Sequence, residues 1–306
     1  MKSTVKYPSL LMVAAMLMPI GCERYNMLDE CPPKMNTTIY FNLLDQEGHN
    51  VFNATVDHVD LFIYDADGRP VTPQIEKHFP DRRSLRLDPG DYTLVAWGNA
   101  TPRYTRFFTN EYTHWLNSSN NYLLTAGEST DDGDPLYYAP KVKERPLTFT
   151  VPLQGEVEVT AAFRNAHVKI EVTVDGYKHL STRTDDYLLE MELTEITSRY
   201  SFGLEAHGSM VHYMRYAHSI DSDKKLFNTS FHVPLFGQNT ATVLHVTNNS
   251  GKLIVPPISI RELLGKKIEI EKLTYLPIRI TFDDQLNVAI TVDLPEWNES
   301  TVTPKI

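Results

Sequence analysis

Apolar residues recur at every second position through much of the 306-residue chain, the pattern of strands that bury one face. In "TTIYFNLL", Thr37, Ile39, Phe41 and Leu43 fall on one side. In "DYTLVAW", Tyr92, Leu94 and Ala96 alternate with Thr93, Val95 and Trp97. The clearest run is "NAHVKIEVTVDG": Ala166, Val168, Ile170, Val172 and Val174 face one way, and His167, Lys169, Glu171 and Thr173 the other. Near the C-terminus "LNVAITVD" repeats the alternation with Leu286, Val288, Ile290 and Val292. Turn residues punctuate these runs, with "DADG" (Asp65–Gly68) after "VDLFIY" and "DPG" (Asp88–Gly90) before the next strand. Helical spacing is confined to two stretches. "RFFTNEYTHWL" sets Phe108, Tyr112, Trp115 and Leu116 on one face, and "ISIRELLG" reads as a second short helix. Many short strands with turns between them predict an all-β chain of sandwiches rather than a parallel α/β sheet.

One break interrupts the pattern. "GESTDDGDP", Gly127–Pro135, is acidic and turn-rich and reads as a long loop. Strand-like "PLTFTVPLQGEVEVTAAF" follows, and a second alternating series begins near Gly155. The boundary is therefore set at residue 155, with one sandwich over 36–155 and another over 156–306. No low-complexity linker separates them, so the two are expected to abut.

The start of the chain follows other rules. "MKSTVKYPSLLMVAAMLMPIGC" has Lys2 and Lys6 at its head, nine unbroken apolar residues from Leu10 to Met18, and the small Gly21 before Cys22. A bilayer span takes about 20 residues, so this run is too short to be one. It has the three-part layout of a secretory signal. Its end resembles a bacterial lipobox, with cleavage between Gly21 and Cys22 and acylation of the Cys22 thiol. Pro19 departs from the commonest pattern, and a plain secreted protein with a cysteine near its cleavage site is the alternative. Residues 1–21 are then the signal and 22–35 a lipidated tether. Acylation leaves Cys31, the only other cysteine, without a partner in its own chain. That removes an intrachain disulfide or cysteine metal site and leaves a small semi-buried thiol as the plainer reading. One acyl chain holds a membrane marginally and two or more hold it stably.

Cleavage also changes the charge. Loss of Lys2 and Lys6 takes the 29 basic residues to 27 against 39 acidic ones, a formal −12. Such a surface is unsuited to nucleic acid and to electrostatic docking on anionic lipid. The chemistry of catalysis is sparse. His207, His212 and His218 lie close in sequence, but no HExxH or comparable metal spacing occurs. Asp131, Asp132 and Asp134 offer oxygens to calcium, yet their spacing fits no calcium loop, and a solvated acidic loop is expected instead. There is no GxSxG elbow and no phosphate-cradling glycine loop. No enzyme activity, cofactor, metal or small-molecule substrate is expected. Trp97, Trp115, Tyr137 and Tyr138 could form a sugar-stacking platform, but the apolar settings of Trp97 and Trp115 favour the core for those two.

Several segments, in order, resemble the fimbrial anchor family of Bacteroidales, the FimB-type minor subunits of the type V pilus. They are "DECP" soon after Cys22, "VDHVDLFIYDADGRPV", "LDPGDYTLVAWGNA", "DPLYYAP", "VTAAFRNAHVKIEVTV", "TSRYSFG" and "LPIRITFDDQLNVAITVDLPEW". Together they run from Cys22 to Trp297. The resemblance implies two tandem transthyretin-like β-sandwich domains. It also implies a lipoprotein that joins a fimbrial shaft to the outer membrane through its acyl chains. Its partner is a shaft subunit, bound by strand complementation.

In shaft subunits of such systems a trypsin-like protease removes the first strand and opens a groove for a neighbour's strand. Here the 34 residues from Met35 to Gly68 contain no lysine or arginine. The first strand, with Thr37, Ile39, Phe41 and Leu43, is therefore expected to stay and to end the polymer. By the same analogy "WNESTVTPKI", Trp297–Ile306, is the candidate donor tail, with Val302 and Ile306 to fill pockets. Pro304 cannot donate to a ladder, and a frayed polar tail is the other reading. A glycan-binding surface lipoprotein and a tip or accessory pilin of the same fold are the alternative functions.

Overall fold

The computed structural model describes residues 34–45, 47–71, 81–108, 122–124, 129–139, 147–177, 189–202, 204–221, 226–237, 240–265, 273–285, 287–292 and 300–302. The signal peptide, Gly21, Cys22, Cys31, Trp115, Trp297 and Ile306 lie outside them. The first half supplies β1 (Thr37–Asn42), α1 (Phe52–Thr55), β2 (Val59–Asp65), β3 (Arg82–Leu85), β4 (Gly90–Gly98), β5 (Arg106–Phe108) and β6 (Tyr122–Leu124). Then come β7 (Ser129–Thr130), β8 (Tyr137–Ala139), β9 (Leu147–Val151), β10 (Val157–Ala162) and β11 (Arg164–Asn165). The rest of the chain forms β12 (His167–Asp175), β13 (Leu189–Ser201), β14 (Ala206–Asp221), β15 (Leu226–Pro234), β16 (Val243–Asn248) and β17 (Ile258–Ser259). It ends with α2 (Ile260–Leu264), β18 (Tyr275–Phe282), β19 (Val288–Val292) and β20 (Ser300–Val302). The chain is all-β in character, as the alternation predicts.

The first sandwich packs a sheet ordered β10-β1-β3 on a second ordered β11-β8-β4-β2, with β9 also beside β4. β1 is the middle strand of its sheet, parallel to β10 and antiparallel to β3. Its inward residues Ile39 and Phe41 meet Leu61, Ile63, Leu94 and Phe163 in one core. Phe41 stacks on Phe52 with centroids 5.5 Å apart, and Phe52 lies 5.3 Å from Phe163.

β10 and β11 correct the expected boundary. β10 pairs with β1 along its whole length, β11 pairs with β8, and Val159, Ala161 and Phe163 lie in the first core. The change of core falls at Ala166–His167, beyond Gly155. The alternation changes phase between Phe163 and Ala166, with odd positions facing inward before it and even positions after, and that one-residue slip marks where the chain changes partners.

The second sandwich has a core built on Val168, Ile170, Leu193, Phe231, Ile278 and their neighbours. Its strands run β17-β16-β13-β14-β15-β12-β18-β19-β20. The 16-residue β14 crosses from one layer to the other, pairing with β13 up to Ala217 and with β15 from His218. β5, β6 and β7, from the first half of the chain, extend this sheet through β13 and β14. α2 forms where "ISIRELLG" predicts it, with the Ser259 side chain accepting the Glu262 N–H at its start. The first three residues of "RFFTNEYTHWL" form β5, which pairs with β6. Tyr112, Trp115 and Leu116 fall outside the described residues.

A third core joins the two sandwiches. Phe62, Tyr64, Val95 and Trp97 on the outer face of β2 and β4 pack with Tyr138, Tyr200 and Phe202. The end of β13 thus covers the face that the first sandwich turns away from its own core. As expected, the units abut.

Candidate functional site

Three places have the geometry of functional elements: the first strand, the C-terminal strand and the seam between the sandwiches.

β1 is fastened at both ends. Before it, the Asn36 N–H donates to the Leu85 carbonyl at 3.1 Å, and the Asn36 side chain exchanges hydrogen bonds with Leu87 at 2.8 and 3.0 Å. After it, the Val51 N–H reaches the Leu43 carbonyl at 2.8 Å, and Asn50 Oδ1 accepts from the Leu43 N–H at 3.1 Å. Between these ties Thr37, Ile39 and Phe41 are buried, while Leu43 packs on the core rim. Taking β1 away would unpair β3 and β10 together and open the pocket that Ile39 and Phe41 fill. The first basic residue after it is Arg69, in a turn where its N–H donates to Asp65 Oδ1 at 2.8 Å. Pro70 follows, and trypsin-like enzymes do not cut before proline.

At the other end of the chain, β20 pairs antiparallel with β19, with Val302 opposite Ile290 and Ser300 opposite Val292. This part of the tail forms the outer strand of its own sheet. Trp297 and Ile306, at its two ends, lie outside the described residues.

The seam is where the acidic loop lies, and it is not a solvated loop. Asp132 Oδ1 accepts from the His232 backbone N–H at 2.7 Å and from the Gly133 N–H at 2.9 Å. Its Oδ2 meets Arg215 Nη1 at 2.7 Å, which also reaches the Ser230 carbonyl. Burial alone would raise the Asp132 pKa. Hydrogen bonds from His232 and Gly133, with the Arg215 charge, outweigh burial and hold it below the usual carboxylate range. A guanidinium therefore stands where a calcium ion would have to sit.

Asp134, also buried, turns the other way and takes the Thr101 N–H and hydroxyl at 2.8 and 2.7 Å. Asp131 pairs with Arg103 at 2.9 Å. Consecutive residues of one loop thus hold the second sandwich, through Asp132, and the first, through Asp131 and Asp134. Gly133 lies so close to β15 that a Cβ there would overlap the His232 carbonyl oxygen. Beside the loop, the His167 ring bonds to the Leu136 carbonyl through Nδ1 at 2.9 Å. Burial pushes its pKa down to about 4, so the ring is neutral and donates that bond.

The profile of the fimbrillin-A associated anchor proteins Mfa1 and Mfa2 matches residues 28–303. The chain belongs to that family. The fimbrial anchor protein Mfa2 from Porphyromonas gingivalis is 15% identical, with 86% of this chain and 98% of that one covered and a TM-score of 0.58. A candidate polysaccharide-binding protein from Bacteroides thetaiotaomicron is 14% identical over 85% of this chain and 96% of its own, with a TM-score of 0.65. A candidate adhesin from Bacteroides ovatus is 15% identical over 88% and 96%, also with a TM-score of 0.65. At such identities these likenesses show the fold. No curated protein matches the chain.

The resemblance drawn from the sequence and the family match agree, and the remaining candidate residues can be placed on this anchor-family protein. Trp97 and Tyr138 are each 1% exposed, in the interdomain core, so neither can stack on a sugar. Tyr137 is half-buried against His167, with centroids 5.6 Å apart. His212 is paired with Glu192 at 2.8 Å, and His218 stands exposed on the same face of β14. The His207 side chain lies outside the described residues. Among the described residues, Asp45, Glu47 and His49 bring ligand atoms within 4.8 Å of one another. Asp45 there already accepts the His49 backbone N–H at 2.7 Å to close its turn. Sequence reasoning missed Arg215, His232, Tyr200 and Phe202 as seam residues. Their alternation is that of any half-buried strand, and their partners lie far off in the sequence.

Proposed function

We propose that this anchor-family protein is a non-enzymatic terminal subunit of a fimbrium. Acyl chains on Cys22 hold it in the outer membrane, and β1 stays in its own sandwich. It joins a shaft subunit through the donor tail Trp297–Ile306. The observation that carries this reading is the state of β1: the central strand of its sheet, buried, fastened at both ends and followed by no basic residue before Arg69-Pro70. A sandwich that keeps its own strand has no groove to offer a neighbour, so a polymer reaching it ends. Joining by the tail requires β20 to leave β19, where few ladder pairs hold it, and to enter a neighbour's groove by strand addition.

Intact-mass and N-terminal peptide analysis of the protein from isolated outer membranes tests the reading. An acylated Cys22 with residues 23–68 still attached is expected. A chain beginning after Leu44 would make it a polymerising subunit instead.

A further inference from the structure

The chain enters the first sandwich at one pole. β1 and β10 both start there and run parallel away from it, and β9 ends there with Val151 opposite Gly90. The turn between β9 and β10 lies beside the entry: Lys34 Nζ meets Glu156 at 3.2 Å, and the Val157 N–H donates to the Asn36 carbonyl at 2.9 Å. Two apolar side chains face outward at this pole. Leu153, in that turn, is 88% exposed, the most of any large hydrophobic among the described residues, and Met35 is 52% exposed. The sandwich gains nothing from a leucine held this far out of its core.

What lies ahead of Lys34 gives these residues a use. Eleven residues lie between it and Cys22, a reach of about 40 Å fully extended. We propose that this pole rests on the bilayer, with Leu153 and Met35 entering the boundary between headgroups and acyl chains. The proposal rests on acylation of Cys22. Its chemistry is apolar rather than electrostatic. Lys34 is paired with Glu156, and Arg86, whose Nη1 reaches the Lys34 carbonyl at 3.4 Å, is offset by Asp88 in the neighbouring turn. Asp91, at the same end of β4 beside Thr150, adds a negative charge, so the pole is slightly acidic and suits zwitterionic rather than anionic lipid. Two side chains would not hold a free protein on a membrane. A short tether makes the contact intramolecular, and a weak contact is then occupied. The far end of β10 leads through β11 to the second sandwich, so seating this pole points the C-terminal half away from the membrane.

The test uses the full-length lipoprotein with Cys31→Ser, reconstituted in phosphatidylcholine vesicles containing spin-labelled lipid. An environment-sensitive dye is placed at Gln154→Cys in one sample and at Lys252→Cys, in an exposed turn of the second sandwich, in another. Flotation and intact mass report anchoring separately. The expected result is a protein that floats, with the probe at 154 blue-shifted and quenched and the probe at 252 neither. Leu153→Asp should leave flotation intact and lower occupancy of the contact roughly tenfold, as the loss of about two buried CH₂ equivalents would. A protein that floats with both probes equally unquenched would overturn the seated pole while leaving the anchor in place. A protein that neither floats nor carries acyl mass would overturn the lipid anchor, and the seated pole with it.

Discussion

At the scale of single residues, the strongest demands fall on the loop at the seam. Gly133→Ala would push the loop away from the His232 carbonyl and should lower stability by about 1–3 kcal/mol in chemical denaturation. Asp132→Asn would leave Arg215 facing a neutral amide. Both partners keep some solvent contact, so the expected loss is a modest 1–2 kcal/mol or so.

Acid acts here through two groups. His167 has its folded pKa lowered to about 4 from 6.5, so the unfolded chain binds the proton first and stability falls as pH drops from 6.5 toward 4. The limit is about 3 kcal/mol, and His167→Gln should flatten that part of the stability–pH curve. Asp132, also lowered, contributes stability above the ordinary carboxylate pKa that is lost only in stronger acid. None of this was legible locally. The partners of Asp132 lie 83 and 100 residues further along, and three aspartates in a row of turn formers look the same whether solvated or clasped.

At the scale of elements, the sequence was far more readable. Period-two alternation marks β1, β12 and β19 directly, because each has one face in a core, while β4 buries Val95 and Trp97 on its second face as well. The move to the second core shows as a one-residue change of phase between Phe163 and Ala166, which a boundary at Gly155 overlooks. The proposed role of β1 belongs to this scale. Phe41→Ala should cost about 3–5 kcal/mol, since Phe41 fills space between Phe52 and Phe163 that nothing else can reach. Glu47→Arg would place a basic residue in the exposed turn after β1. Limited trypsin digestion followed by mass spectrometry should then show a new cut at residue 47, where the parent chain shows none between Met35 and Gly68. A parent chain cut within that stretch would remove the argument for a retained strand.

At the scale of the whole molecule, the segments that carried the family resemblance meet in space. "LVAWGNA", "DPLYYAP" and "TSRYSFG" contribute Trp97, Tyr138 and Phe202 to one interdomain core, and the Tyr138 hydroxyl donates to the Phe202 carbonyl at 3.0 Å. Their order along the chain was visible; their convergence needed the fold. Phe202→Ala should uncouple the two sandwiches, so that one calorimetric transition becomes two. A single transition at lower temperature would mean that the loop at Asp132 suffices to couple them.

The parallel pairing of β1 with β10 has a mechanical meaning. A pull on residue 34 draws β1 from its first residue, and a pull from the second sandwich draws β10 from its last. The two strands are dragged past each other along a common axis. An antiparallel hairpin pulled at its open end loses its hydrogen bonds one by one. Here the register from Thr37–Val157 to Asn42–Ala162 is sheared as a whole, and its bonds must give way together. Stretching single molecules between residue 34 and the second sandwich should therefore meet its highest force peak at this ladder. The strand that closes the groove is thus also the rivet that resists the pull.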